Sequence, residues 1–331
     1  MIIKDQIMRI RDVSRFARMS QITLLFRRSF GLPALEHQAF STCIDWDNAR
    51  ALSEIAYAIR GQDYRPALFV HGVLPRSGTN YLADAIALHP ATNQNPGTLW
   101  EFPLLYVAGG AEALQREFEF MFPPNAKVMK QHEMLVHLAS GWMRHLQVQS
   151  EPLTMVFKSP HLQHLALFPA IFPRDRVLIL MRDGRDVLQS SLTTFGESWL
   201  GKSFAAIAAE WSAAARLALA FAPGGPCACE QALVVRYEDL VREGRPVMEI
   251  VLAHCGLDQA SYDWTAFENL PVRGSSTNNA SLAEKWRQQP RLQSFNPLGR
   301  WHAWPDAQKA RFKKWAGETL IAAGYAQDLD W

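Results

Sequence analysis

Cysteine is scarce, with Cys43, Cys227, Cys229 and Cys255 the only four in 331 residues. Four thiols cannot staple a chain of this length, so a disulfide-framed fold is excluded and a reducing compartment is expected. The nearest pair, Cys227 and Cys229, is spaced C-x-C and lacks the C-x₂-C interval of a zinc knuckle. His132, His137 and His145 recur at intervals that suit no metal, and none is expected. Long hydrophobic runs are absent too: none approaches the roughly 18–20 residues of a membrane-spanning helix. The opening MIIKD meets charge at once, so no signal peptide is expected and the expected location is cytoplasmic. Nor is either sign of charge in excess, since 34 Lys and Arg face 32 Asp and Glu for a net +2. A nucleic-acid binder ordinarily carries a strong basic excess, and no nucleic-acid partner is expected.

What remains is the composition of a globular protein, 48% hydrophobic and 20% charged. The charge is unevenly placed. Residues 1–30 hold seven basic and two acidic residues, a local +5 that leaves −3 for the rest. Ile3, Ile7, Ile10 and Phe16 recur there at near-helical spacing. A membrane-surface helix and a helix docked on the domain or on a partner subunit are both open readings, and the oligomeric state is not legible. Residues 1–65 are read as an N-terminal helical extension and 66–331 as one α/β domain.

Four apolar runs read as buried parallel strands: ALFVH at 67–71, TMVFK at 154–158, VLILM at 177–181 and ALVVR at 232–236. Helical patterns separate them at 79–88, 112–120, 132–147, 160–172, 186–194 and 203–221. Strands alternating with helices imply βαβ units around a central parallel sheet flanked by helices. The stretch 269–297 is polar and is not expected to be regular throughout. A final amphipathic helix is expected over 306–323, stopped by Gly324.

Ligands of such sheets bind at the carboxyl ends of the strands. Here those ends lead into GVLPRSGTN at 72–80, Lys158, Arg182 and RYED at 236–239. Three cations and a glycine-bearing loop on one edge point to a polyanionic ligand. In the loop, Gly78 lets backbone N–H groups approach an anion, and Ser77 and Thr79 add hydroxyl donors. The nucleoside-triphosphatase loop reads G-x-x-x-x-G-K-[ST]. Here Gly72 and Gly78 stand one residue further apart and Thr79 replaces the lysine. Arg182 brings a bidentate fork to a second sheet edge position, with Ser190 near the second turn of a helix that Asp183 or Asp186 caps. The chain thus offers two anion sites where a mononucleotide needs one.

PRSGT at 75–79, Arg182 with Ser190, and YEDL at 237–240 together resemble the sulfotransferase superfamily, whose donor is 3′-phosphoadenosine 5′-phosphosulfate (PAPS). The likeness runs from about residue 67 to the end and includes Arg273 with Gly274, GRW at 299–301 and IAAGY at 321–325. Its form is closer to bacterial and tyrosylprotein-type members than to cytosolic small-molecule enzymes, which usually carry Lys where Arg76 stands. The resemblance implies a P-loop-like three-layer fold and sulfuryl transfer to an acceptor hydroxyl on a carbohydrate, lipid or small molecule. By that likeness Arg76, Ser77, Gly78, Thr79, Asn80 and Tyr81 would hold the 5′-phosphosulfate. Arg182, Ser190, Arg273 and Gly274 would hold the 3′-phosphate, and Tyr237 would contact the adenine. Lys158 and Arg76 would assist the leaving oxygen. The base is open between Glu101, roughly where tyrosylprotein-type members carry a glutamate, and His161, three residues after Lys158. Two other readings stand beside this one: an ATP-dependent phosphotransferase, weakened by the missing loop lysine, and a non-catalytic nucleotide-binding module.

Overall fold

Five runs form strands: Leu68–Gly72 (β1), Thr92–Gln94 (β2), Thr154–Ser159 (β3), Arg176–Met181 (β4) and Ala232–Arg236 (β5). They make one sheet in the order β2-β3-β1-β4-β5, and every pairing is parallel. The computed structural model describes residues 39–42, 45–196, 202–271, 273 and 296–331. The expectations for residues 1–30 and for Gly274, and most of 269–297, lie outside the described residues.

The central strand β1 is buried at all five positions, which is why its sequence shows no polar alternation. Its residues still divide between two faces. Phe69 joins Phe157, Val177 and Ile179 in a core closed by Trp46–Arg60 (α1), Glu133–Ser150 (α4), Phe204–Ala220 (α7) and Asp306–Ala322 (α11). Leu68 and Val70 join Val156, Leu178 and Leu180 on the opposite face. Thr79–Ile86 (α2), Arg245–Cys255 (α9) and Trp264–Glu268 (α10) cover that face. The three layers are therefore helices, sheet and helices, the expected P-loop-like form. Ala108–Met121 (α3), Phe168–Ile171 (α5), Gly184–Phe195 (α6) and Tyr237–Glu243 (α8) complete the described helices.

The edge strand β2, sequence TNQ, carries no β-branched or apolar run and was not foreseen; pairing of Thr92 with Thr154 and Gln94 with Val156 places it. The helix expected over 160–172 is corrected to a 3-10 turn at Leu165–Leu167 and the single turn α5. His164 sits at φ +60, in the left-handed region, which interrupts any helix begun at Pro160. Asp183, rather than Asp186, caps α6, accepting from Arg185 N at 2.9 Å. Helix α1 is tied to the sheet by a buried pair: Arg60 Nη2 donates to Asp175 Oδ1 at 3.0 Å. Tyr64 Oη and Ala67 N also donate to Asp175, at 2.9 and 2.7 Å.

Candidate active site

The loop between β1 and α2 closes on itself. Leu74 N donates to Ser77 Oγ at 3.1 Å, and Ser77 Oγ donates to Leu74 O at 2.7 Å. The fully buried Ser77 hydroxyl thus shapes the loop. A Cβ on Gly72 would meet Thr79 Cγ2 at 2.7 Å, so the loop can return over its own start only with glycine there. Gly78, at φ +98, precedes α2, and the ring of Tyr237 fills the space where its side chain would be, 2.5 Å away. Arg76 stands at φ +80, a left-handed position for a non-glycine residue. Thr79 is buried in the first turn of α2, while Asn80 and Tyr81 are half-buried beside it.

The strand β4 delivers Arg182 to the same edge. Its Nη1 donates to Arg76 O at 2.7 Å and its Nη2 to Pro297 O at 2.6 Å. The guanidinium lies 4.5 Å over the Tyr237 ring, while its buried Nε has no partner among the described residues. Trp211 Nε1 holds the Arg182 carbonyl at 3.1 Å, and a Cβ on Gly184 would strike the Trp211 ring at 2.4 Å. Arg76 Nε donates to Ser190 Oγ on α6 at 3.1 Å, so the two expected anion sites touch. Burial pushes the Arg76 guanidinium down to about 10, and the nearby charges of Arg182 and Arg300 push the same way. Three clustered guanidiniums repel one another, and an anion between them would relieve the repulsion. Together with the unpartnered Arg182 Nε, this fits the polyanionic end of a donor such as PAPS. Tyr237 props the loop and Arg182 and meets Tyr81 edge-on at 6.5 Å.

The strand β3 ends in Lys158, whose Nζ lies 3.3 Å from Glu101 Oε1. Phe102 N donates to Lys158 O at 2.9 Å and anchors the segment carrying Glu101. Lys158 is buried, and burial pushes its ammonium below the usual range while Glu101 opposes the shift. Glu101 is about half open to solvent. His161 stacks on Tyr106 at 4.2 Å and is pushed down to about 4 by burial, then by Lys202 and His71. Its Nδ1 is buried without a partner among the described residues. His71 Nδ1 donates to the His161 carbonyl at 2.7 Å.

Arg273 is on the Lys158 side. Its Nε donates to Asp84 Oδ2 at 2.6 Å and its Nη2 to Oδ1. Gln94 Nε2 adds a bond to Asp84 Oδ1 at 2.8 Å. Asp84 was missed in sequence; the available signal was one acid among Leu82, Ala83, Ala85 and Ile86 on the helix of the anion loop. Asp186 was read only as a cap. Its carboxylate accepts from Gly299 N at 2.8 Å and Arg300 N at 2.7 Å, bringing Arg300 to the cluster. Among the described residues no group of three or more His, Cys, Asp or Glu is placed to hold a metal.

A parallel sheet between two helical layers, with a glycine loop, two arginines and a lysine on its carboxyl edge, defines a P-loop-like α/β protein. Within that class the chain belongs to the sulfotransferase family, whose sequence profile matches residues 66–261. No curated protein matches it. Among solved structures it is similar to the sulfotransferase domain of the Synechococcus PCC 7002 olefin synthase, at 21% identity and TM-score 0.48 over 77% of this chain and 94% of that one. It is also similar to a Mycobacterium tuberculosis sulfotransferase, at 18% identity and TM-score 0.39 over 80% and 82%. A mouse sulfotransferase complexed with PAP is similar at 11% identity and TM-score 0.45 over 84% and 93%.

Proposed function

We propose that this chain transfers a sulfuryl group from PAPS to an acceptor hydroxyl on a carbohydrate, lipid or small molecule. The hydrogen bond from Arg76 to Ser190 carries the reading, because it joins a loop-borne and a helix-borne anion site on one edge. PAPS supplies an activated sulfuryl group and a bisphosphate leaving group. Arg76 and the backbone of 77–80, with Tyr81 beside them, bind the 5′-phosphosulfate end. Arg182 and Ser190 bind the 3′-phosphate, with Tyr237 backing Arg182. Arg273 enters the 3′-phosphate end, with Gly274, only by leaving Asp84. Lys158 and Arg76 neutralise the charge that develops on the leaving oxygen. Glu101, held beside Lys158, takes the acceptor proton. His161 is a weaker base than an ordinary imidazole, because burial disfavours its protonated form.

Calorimetric titration tests this with adenosine 3′,5′-bisphosphate, 5′-AMP and MgATP. The bisphosphate is expected to bind at least about tenfold tighter than 5′-AMP, since charge-assisted bonds are worth about 1.5–3 kcal/mol each. Tightest binding of MgATP would replace this reading with a phosphotransferase, and absence of all three would remove nucleotide chemistry altogether.

A further inference from the structure

Helix α3 leaves large apolar side chains in water. Of its polar residues Gln115 faces the protein, while Arg116 and Glu117 are exposed. Gln115 is buried, donates to Lys130 O at 2.9 Å and accepts from Met134 N at 3.1 Å. Glu112 Oε1 lies 3.1 Å from His132 Nδ1. The solvent side carries Leu114, Phe118 and Met121, spaced four and three residues apart as one helical stripe with the exposed Glu117 at its edge. A surface helix ordinarily turns its apolar stripe inward.

The stripe ends in a projecting tip. Phe120 and Met121 are 78% and 79% exposed, and Phe122 and Val128 are also exposed. Phe120 and Met121 splay about 100° apart on the helix and Phe122 leaves it in an extended conformation, so no single flat protein surface covers all three. A lipid interface surrounds a projection from every side. The charge of the tip also suits that surface. Residues 120–130 contain the exposed Lys127 and Lys130 and no acid, and basic side chains beside an apolar tip favour anionic lipid.

We propose that the outer stripe of α3 and the tip at 120–130 dock on an anionic lipid bilayer. Helix α3 itself begins two residues after Tyr106, which stacks on His161 at 4.2 Å. Given the function proposed above, on which this clause alone rests, the acceptor is a hydroxyl of a membrane-borne amphiphile.

The test is vesicle flotation of the full chain on phosphatidylcholine vesicles, with and without phosphatidylglycerol. It needs neither donor nor turnover, so it fails or succeeds independently of the sulfotransferase reading. Wild type should float, more strongly with phosphatidylglycerol. The triple variant Phe120→Ser, Met121→Ser, Phe122→Ser should lose at least about tenfold in partitioning. These side chains are exposed, and an unchanged melting temperature confirms that the variant folds. Lys127→Glu with Lys130→Glu should abolish the preference for phosphatidylglycerol. Failure of wild type to float on either vesicle overturns the proposal. So does undiminished flotation of the triple variant, which would place the contact elsewhere, as in residues 1–30. A wild-type dimer that the triple substitution converts to monomer in sedimentation overturns it as well, because the face would then belong to a second copy.

Discussion

Lys158 Nζ and Glu101 Oε1 lie 3.3 Å apart, one nearly sealed from water and the other about half open to it. The asymmetry suits the two roles proposed for them. A buried ammonium beside the anion loop can neutralise developing charge, and a half-open carboxylate can reach an incoming hydroxyl. The pair is held from the backbone, because Phe102 N bonds the Lys158 carbonyl.

Glu101→Gln keeps the shape of the side chain and removes its basicity. Turnover should fall by at least about 100-fold, the usual scale of general-base catalysis. Affinity for adenosine 3′,5′-bisphosphate should be unchanged by calorimetry. His161→Asn should keep turnover within about tenfold of wild type, the low end of that scale. The opposite ranking of the two variants would make His161 the base.

Ser190→Ala removes the hydroxyl that Arg76 contacts on α6. Bisphosphate affinity should fall about tenfold or more while 5′-AMP affinity stays level, because only the first ligand reaches the second anion site. Equal losses for both ligands would mean that Ser190 merely supports the loop.

Gly78→Ala places a methyl group 2.5 Å from the Tyr237 ring at a φ of +98. Strain and overpacking should together cost about 2–4 kcal/mol. Denaturant unfolding reads the stability loss, and titration should show bisphosphate binding lost with it. A variant of wild-type stability and affinity would show that the close fit of loop and tyrosine has no consequence.

His71 is buried on β1, and burial holds it down to about 4 from an ordinary 6.5. Between those values the unfolded chain takes up a proton that the folded chain refuses. Stability therefore rises with pH across the window and is lost as pH falls from about 6.5 toward 4, by about 3 kcal/mol from this group. His71→Gln should flatten the slope by about 1.4 kcal/mol per pH unit. Denaturant midpoints collected across that range read the difference, and an identical slope in the variant would refute the assignment.

Much of this was legible in the chain. Runs buried on both faces announce themselves by unbroken apolar sequence, so β1, β3, β4 and β5 were found within a residue or two. β2 was not, because TNQ owes its conformation to pairing with β3 rather than to its own side chains. The helix expected after Pro160 fails at His164, whose positive φ no apolar spacing reveals.

Local sequence by itself determined the four strands, the glycine loop, and which charged residues reach the carboxyl edge, since each follows from chemistry within a few neighbouring residues. Only the tertiary structure decided their partners. It put Arg76 on Ser190, Glu101 on Lys158, Arg273 on Asp84 and Asp186 on the backbone of Gly299 and Arg300. It also turned Gln115 of α3 inward, onto Lys130 and Met134. These contacts join residues remote in sequence, and a hydrogen bond depends on distances that spacing along a chain does not specify.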